Sequence, residues 1–98
     1  MSAYMIIAAK IHDRDKFRDG YGQEAAKLVA SHGGEYLILA PGAELLEGSL
    51  KGYTSVALSK WPDKKSAETF WYSDEYAEVK KLREGLADVE VILVEMPD

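Results

Sequence analysis

Two stretches of this chain are apolar on both parities of a strand, and nothing else in the sequence limits its possible folds so strongly. In residues 4–11, Met5, Ile7, Ala9 and Ile11 alternate with Tyr4, Ile6, Ala8 and Lys10. In residues 89–96, Val89, Val91 and Leu93 alternate with Glu90, Ile92 and Val94. Strands of this kind are buried on both sides. Yet the chain has only 98 residues, enough for one domain that buries about 65% of its unfolded surface. Its helical segments suffice to cover one face of a sheet, so the other face needs a different cover.

The rest of the chain fills in around these strands. Asp13 caps a helix whose stripe is Phe17, Tyr21, Ala25, Leu28, Val29 and His32, running to about Ser31. Gly20 and Gly22 weaken its middle by about 1 kcal/mol each relative to alanine, and Gly33-Gly34 end it. Residues 36–40 form a second strand, and Pro41-Gly42 is a turn. The stretch Glu44-Leu45-Leu46-Glu47-Gly48 either continues that strand past a bulge or makes a short ribbon. After a turn at 49–52, residues 53–61 are the third strand. Pro62 stops it, and Asp63 caps a helix with the stripe Ala67, Phe70 and Trp71. Ser73 then restarts the helix: its hydroxyl can accept a free backbone N–H, with Asp74 and Glu75 in the first turn where negative charge suits the dipole. Tyr76, Val79 and Arg83 share a face, and the segment runs to about Glu84, with Gly85 near its end. Residues 89–96 are the last strand.

The order is β-α-β-β-α-β within a single domain spanning 1–98. That is the ferredoxin-like α+β arrangement, a four-stranded antiparallel sheet with two helices on one face. The helix-free face would carry Tyr4, Ile6, Ala8, Ile92 and Val94, a large apolar patch for a monomer. The expectation is a symmetric homodimer joined sheet on sheet. In the third strand Thr54, Val56, Leu58 and Lys60 alternate with Tyr53, Ser55, Ala57, Ser59 and Trp61. If the bulky parity packs under the helices, Ala8, Ser55, Ala57 and Ser59 face the partner. Such small side chains either allow close packing or leave a partly polar hollow.

Charge and composition remove several function classes. Acidic residues outnumber basic ones 17 to 12, a net charge of −5, which argues against nucleic acid and anionic membrane as partners. There is no cysteine, so disulfides and thiolate metal sites are excluded. The apolar run at 3–9 is too short for a signal-peptide core or a membrane span, and a cytoplasmic location is expected. His12 and His32 are isolated, with no helical partner, so no metal is expected. No Ser-His-Asp pattern, phosphate loop or dinucleotide fingerprint is present, and no cofactor is expected.

Five residues stand out as ligand-binding candidates: Tyr21, Glu47, Trp71, Tyr76 and Arg83. Arg83, on a partly apolar stripe, needs something to satisfy its fork of donors. It can clamp a ligand carboxylate, or form a structural salt bridge to Glu47 or Asp13. Glu47 can act as a general base beside a pocket or bind backbone N–H groups in a turn. Trp71, Tyr72, Tyr76 and Tyr21 can line an aromatic pocket or simply be core.

Gly33-Gly34-x-Tyr36-Leu37, Leu46-Glu47-Gly48, Phe70-Trp71-x-Ser73-x-Glu75-Tyr76 and Leu82-Arg83 together resemble the family of small bacterial proteins called domain of unknown function 1330. The resemblance covers nearly the whole chain, and the Phe-Trp-x-Ser-x-Glu-Tyr stretch is its most specific part. It implies a dimeric α+β barrel of ferredoxin-like protomers and no settled activity. The chain departs from the pattern at Tyr72, where asparagine is usual, and at Asp74, where proline is. Leu39-Ala40-Pro41 stands where Arg-Gly-Gly is frequent. The function expected is binding of a small organic molecule in the barrel or the adjoining cleft. A cofactor-independent monooxygenase or isomerase, by analogy of fold, and an interaction domain without ligand are the alternatives.

Overall fold

In the computed structural model, residues 1–97 are described. Four strands, β1 (Ala3–Ile11), β2 (Glu35–Ala40), β3 (Ser55–Trp61) and β4 (Ala87–Glu95), form one antiparallel sheet in the order β2-β3-β1-β4. The helices are α1 (Arg14–Phe17), α2 (Gln23–Ser31), α3 (Lys64–Trp71) and α4 (Asp74–Lys80). The β-α-β-β-α-β order and the antiparallel sheet expected from the sequence are both present, and the fold is ferredoxin-like.

The helix starts follow from their caps. Asp13 and Asp63 accept the backbone N–H of Lys16 and Ser66 at 3.1 and 2.7 Å. Ser73 closes one helix and opens the next. Its hydroxyl donates to the Phe70 carbonyl at 2.7 Å and accepts the Tyr76 N–H at 3.1 Å. The segment after Ser73 ends sooner than the sequence suggests: α4 passes into a single 3₁₀ turn, Lys81–Arg83, and Glu84 is extended.

The first helical segment is not uniform. Between α1 and α2 lies a π turn, Arg18–Gly22. Phe17, Tyr21 and Ala25 are spaced by four, which drifts about 40° per step around an α-helix of 3.6 residues per turn. The wider π turn absorbs that drift: Phe17 and Tyr21 keep ring contact at 5.0 Å between centroids and Ala25 is buried, while Gly20 and Gly22 place no side chains in its way.

Gly33 ends α2 at φ +86°, a conformation glycine adopts without strain. Gly34 has a different role. A Cβ there would lie 2.7 Å from Val29 Cγ1 and 2.8 Å from the Trp61 ring, so glycine lets the chain pass against the core before β2 begins.

The core lies between helices and sheet and includes Ala3, Met5, Val29, Trp61, Ala67, Phe70 and Tyr76. Its sheet side corrects one expectation. The parity facing the helices is the one with small residues, Ala57 and Ser59, paired with Ile7 and Met5. The helices bring the bulk themselves: Phe70 and Tyr76 pack 4.4 Å apart between centroids, and Val29 packs with them. The bulky parity lies on the helix-free face. There Ile38, Leu58, Ile6 and Ile92 form one row across all four strands, with Ile6 45% and Ile92 62% exposed.

Between β2 and β3, residues 41–54 form an excursion without strand or helix. The stretch Glu44–Gly48 therefore neither extends β2 nor forms a ribbon, and the third strand starts at Ser55 rather than Tyr53. A single backbone bond, Ala43 N–H to the Thr54 carbonyl at 2.8 Å, ties the excursion's ends. No helix among the described residues is long and apolar enough to cross a membrane.

Candidate functional site

Small side chains under large aromatic ones leave space. A crevice with room for about 20 Å³, one water molecule, lies between the helices and the sheet. Met5, Ile7, Val89 and Val91 contribute from the sheet, with Tyr36 and Ser59. Tyr21 closes it from the π turn, and Phe70, Trp71, Tyr76 and Arg83 from the second helical pair. Beside it an open cleft of about 840 Å³ runs between α4, with its 3₁₀ turn, and the start of β4, with Tyr53 from the excursion at its edge. Trp71, Tyr76, Arg83 and Val89 line both spaces and form the wall between them.

The side chains of this wall are tied together. The Tyr21 and Tyr76 hydroxyls lie 2.7 Å apart. Trp71 stacks against Tyr76 with centroids 5.2 Å apart, and Lys80 Nζ sits 4.6 Å above the Trp71 ring. The Arg83 guanidinium lies 5.3 Å from the Tyr21 ring centre, a cation–π contact. Among the described residues no carboxylate pairs with Arg83, and its guanidinium donates no hydrogen bond. The expected salt bridge to Glu47 or Asp13 is therefore absent. Glu47 is exposed on the excursion and lines neither space, and Asp13 is engaged as a helix cap.

Of the five candidates, the structure brings together Tyr21, Trp71, Tyr76 and Arg83 and leaves Glu47 apart. Tyr76 is also core, 2% exposed, while Tyr72 is largely exposed and lies at the cleft's edge. Sequence reasoning missed Tyr36, and it expected Ser59 in a hollow on the opposite face of the sheet. The signal for Ser59 on the helix side was available: it shares a strand parity with Trp61, and a small polar residue beside a large buried one leaves a gap. His12 Nε2 lies 3.1 Å from Asp88 Oδ2, and His32 Nδ1 donates to the Leu28 carbonyl at 2.9 Å. Among the described residues no three His, Asp or Glu side chains converge on one point.

Burial sets the chemistry of the phenols. It pushes Tyr36 up to about 12. It raises Tyr21 as well, helped by the proximity of Tyr76, and it raises Tyr76. All three are neutral proton donors near neutral pH. Because their folded values are raised, their contribution to stability is full below the ordinary value of 10 and is lost as pH rises through the raised folded values, about 12 for Tyr36. A spectrophotometric titration is expected to show a late class of phenols ionising as the fold melts. All six tyrosines ionising together near pH 10 would contradict the burial argument.

The model of the family described as "Domain of unknown function (DUF1330)" matches residues 2–97. The chain belongs to the DUF1330 family. No curated protein matches it in sequence. Among solved structures, this DUF1330 protein is similar to a protein of unknown function from Rhodopseudomonas palustris, with TM-score 0.78 and 14% identity over 99% of this chain and 83% of that one. It is also similar to SnoaB, a cofactor-independent oxygenase from Streptomyces nogalater, with TM-score 0.70 and 13% identity over 99% and 94% of the two chains. A dimeric ferredoxin-like protein of unknown function from Jannaschia matches with TM-score 0.66 and 12% identity over 98% and 100%. Identities this low speak for the fold alone, and that fold is the ferredoxin-like one named for the Jannaschia neighbour.

Proposed function

We propose that this DUF1330 protein is a cytoplasmic homodimer that binds a small organic molecule in the cleft beside Trp71, Tyr76 and Arg83. The observation that carries this reading is Arg83. A half-buried guanidinium with no carboxylate partner, set in the wall between an open cleft and an internal crevice, is a donor left for something outside the chain. The aromatic wall of Trp71 and Tyr76 supplies apolar contact, as ligand sites commonly do.

Turnover is less well supported. The crevice lining contains no carboxylate and no histidine, and burial raises its phenols and keeps them protonated, so no group there is tuned to accept a proton near pH 7. The likeness to SnoaB is one of fold and does not replace such a group. The dimer rests on the row Ile38, Leu58, Ile6 and Ile92, which is too continuous a patch for a free surface, and on the dimeric state of the Jannaschia neighbour.

An NMR fragment screen tests the site. Binders are expected to shift the backbone signals of Ala77, Lys80 and Val89, which line the cleft, and an Ala77→Trp variant that fills it is expected to lose them. Binders that move only residues elsewhere would refute the assignment.

A further inference from the structure

The crevice and the cleft divide the ligand into two parts. The cleft, at about 840 Å³, takes a molecule of drug or metabolite size. The crevice behind it, at about 20 Å³, takes one water-sized atom. The polar side chains around the crevice are Tyr21, Tyr36, Ser59, Tyr76 and Arg83, and each can donate a proton. The Ser59 hydroxyl is 1% exposed and accepts the Trp61 Nε1–H at 3.0 Å, which leaves its own proton to give. Within the Tyr21–Tyr76 pair one hydroxyl donates to the other, and the second proton is free. The Tyr36 phenol has no hydrogen-bond partner among the described residues, nor has the Arg83 guanidinium.

A cavity with several spare donors, no anionic acceptor and room for a single atom matches a ligand oxygen that only accepts. We infer that the ligand is an apolar or aromatic carboxylate. One carboxylate oxygen enters the crevice in place of water, the other meets Arg83 at the wall, and the apolar body lies along Trp71 in the cleft. Buried phenols that stay neutral suit this role, because a charge-assisted hydrogen bond to a carboxylate is the strong kind. The cleft also carries Glu84, Asp88 and Glu90. All three are exposed, Asp88 is paired with His12, and Lys80 and Lys81 stand opposite on α4 and its 3₁₀ turn. None of these carboxylates lines the crevice, so the discrimination is made where Arg83 borders both spaces.

The inference rests on the cleft being a ligand site, and one experiment separates the two. Benzoate, benzamide and benzylammonium share a ring and differ in charge and in donor content. Each is titrated into the intact protein while the Trp71 indole N–H and the Arg83 Nε–H signals are followed by NMR. Benzoate is expected to bind about tenfold or more tightly than benzamide, with benzylammonium weakest. Arg83→Gln is expected to erase the preference. Arg83→Lys keeps the charge without the planar fork and is expected to retain part of it, which guards against misreading a folding defect. Tyr21→Phe is expected to weaken benzoate and leave benzamide unchanged. Equal binding of benzoate and benzamide with a Trp71 shift would overturn the carboxylate inference and leave the cleft standing. No shift from any of the three at millimolar concentration would overturn both.

Discussion

Trp61→Ala is expected to cost about 3–5 kcal/mol of folding stability. Trp61 is 1% exposed and sits at the end of β3 opposite Ala3. Its ring packs on Phe70 with centroids 5.1 Å apart, and it backs onto Gly34, where even a Cβ would lie within 2.8 Å of it. Removing it opens a cavity whose walls, sheet on one side and α3 on the other, are held by the rest of the core. It also leaves the buried Ser59 hydroxyl without the indole donor, a further cost of burying an unsatisfied polar group. Against a total stability of about 5–15 kcal/mol for a natural domain, that loss takes a large share of the margin and, at the low end, all of it. Urea denaturation followed by circular dichroism measures it. Trp61→Phe is expected to lose less, because most of the ring volume remains. A loss below about 1 kcal/mol for the alanine variant would mean that the core collapses around the gap.

Ile6→Lys is expected to turn the proposed homodimer into folded monomers. Ile6 occupies the middle of the apolar row, flanked by Leu58 and Ile92 on the neighbouring strands. In a symmetric sheet-on-sheet dimer each substitution appears twice, and an unpartnered ammonium is taken out of water on both sides. Breaking complementarity in this way costs about 3–5 kcal/mol per buried unpaired charge, so about 6–10 kcal/mol for the pair, a weakening of roughly ten-thousandfold or more. The monomer tolerates the change, since Ile6 is 45% exposed in the single chain and a lysine there reaches solvent. Light scattering coupled to size exclusion should therefore give half the parental mass with an unchanged circular dichroism spectrum. A parental protein that already runs as a monomer would remove the dimer from the proposal, as would a lysine variant that remains dimeric.

The contrast between these two residues shows how much of the molecule its sequence disclosed. Periodicity and capping residues located the four strands and the helix starts at Asp13, Asp63 and Ser73, because caps act locally and report themselves locally, while several element ends lay elsewhere. The two-faced character of β1 and β4 was legible for the same reason. The choice of face in β3 was not. Alternation shows that Ser55, Ala57 and Ser59 share a side but not which side the helices take, and bulk on Phe70 and Tyr76 decides that. The π turn was half legible, through Gly20, Gly22 and the spacing of Phe17, Tyr21 and Ala25. Tyr21, Trp71, Tyr76 and Arg83 could be named one at a time, whereas the wall they build depends on a meeting between residues 55 positions apart. Glu47 stood out for its apolar neighbours Leu45 and Leu46, yet those leucines are themselves exposed on the excursion. A carboxylate among apolar residues marks a pocket only when the run is buried.

The two tryptophans divide the molecule's optical response. Trp61 is sealed beneath the helices and senses only whether the chain is folded. Trp71 borders the cleft with an ammonium above its ring, so its emission and its accessibility to quenchers respond to whatever occupies that space. The protein thus carries separate intrinsic reporters of integrity and of occupancy, and a signal that changes in one without the other identifies its origin without any added label.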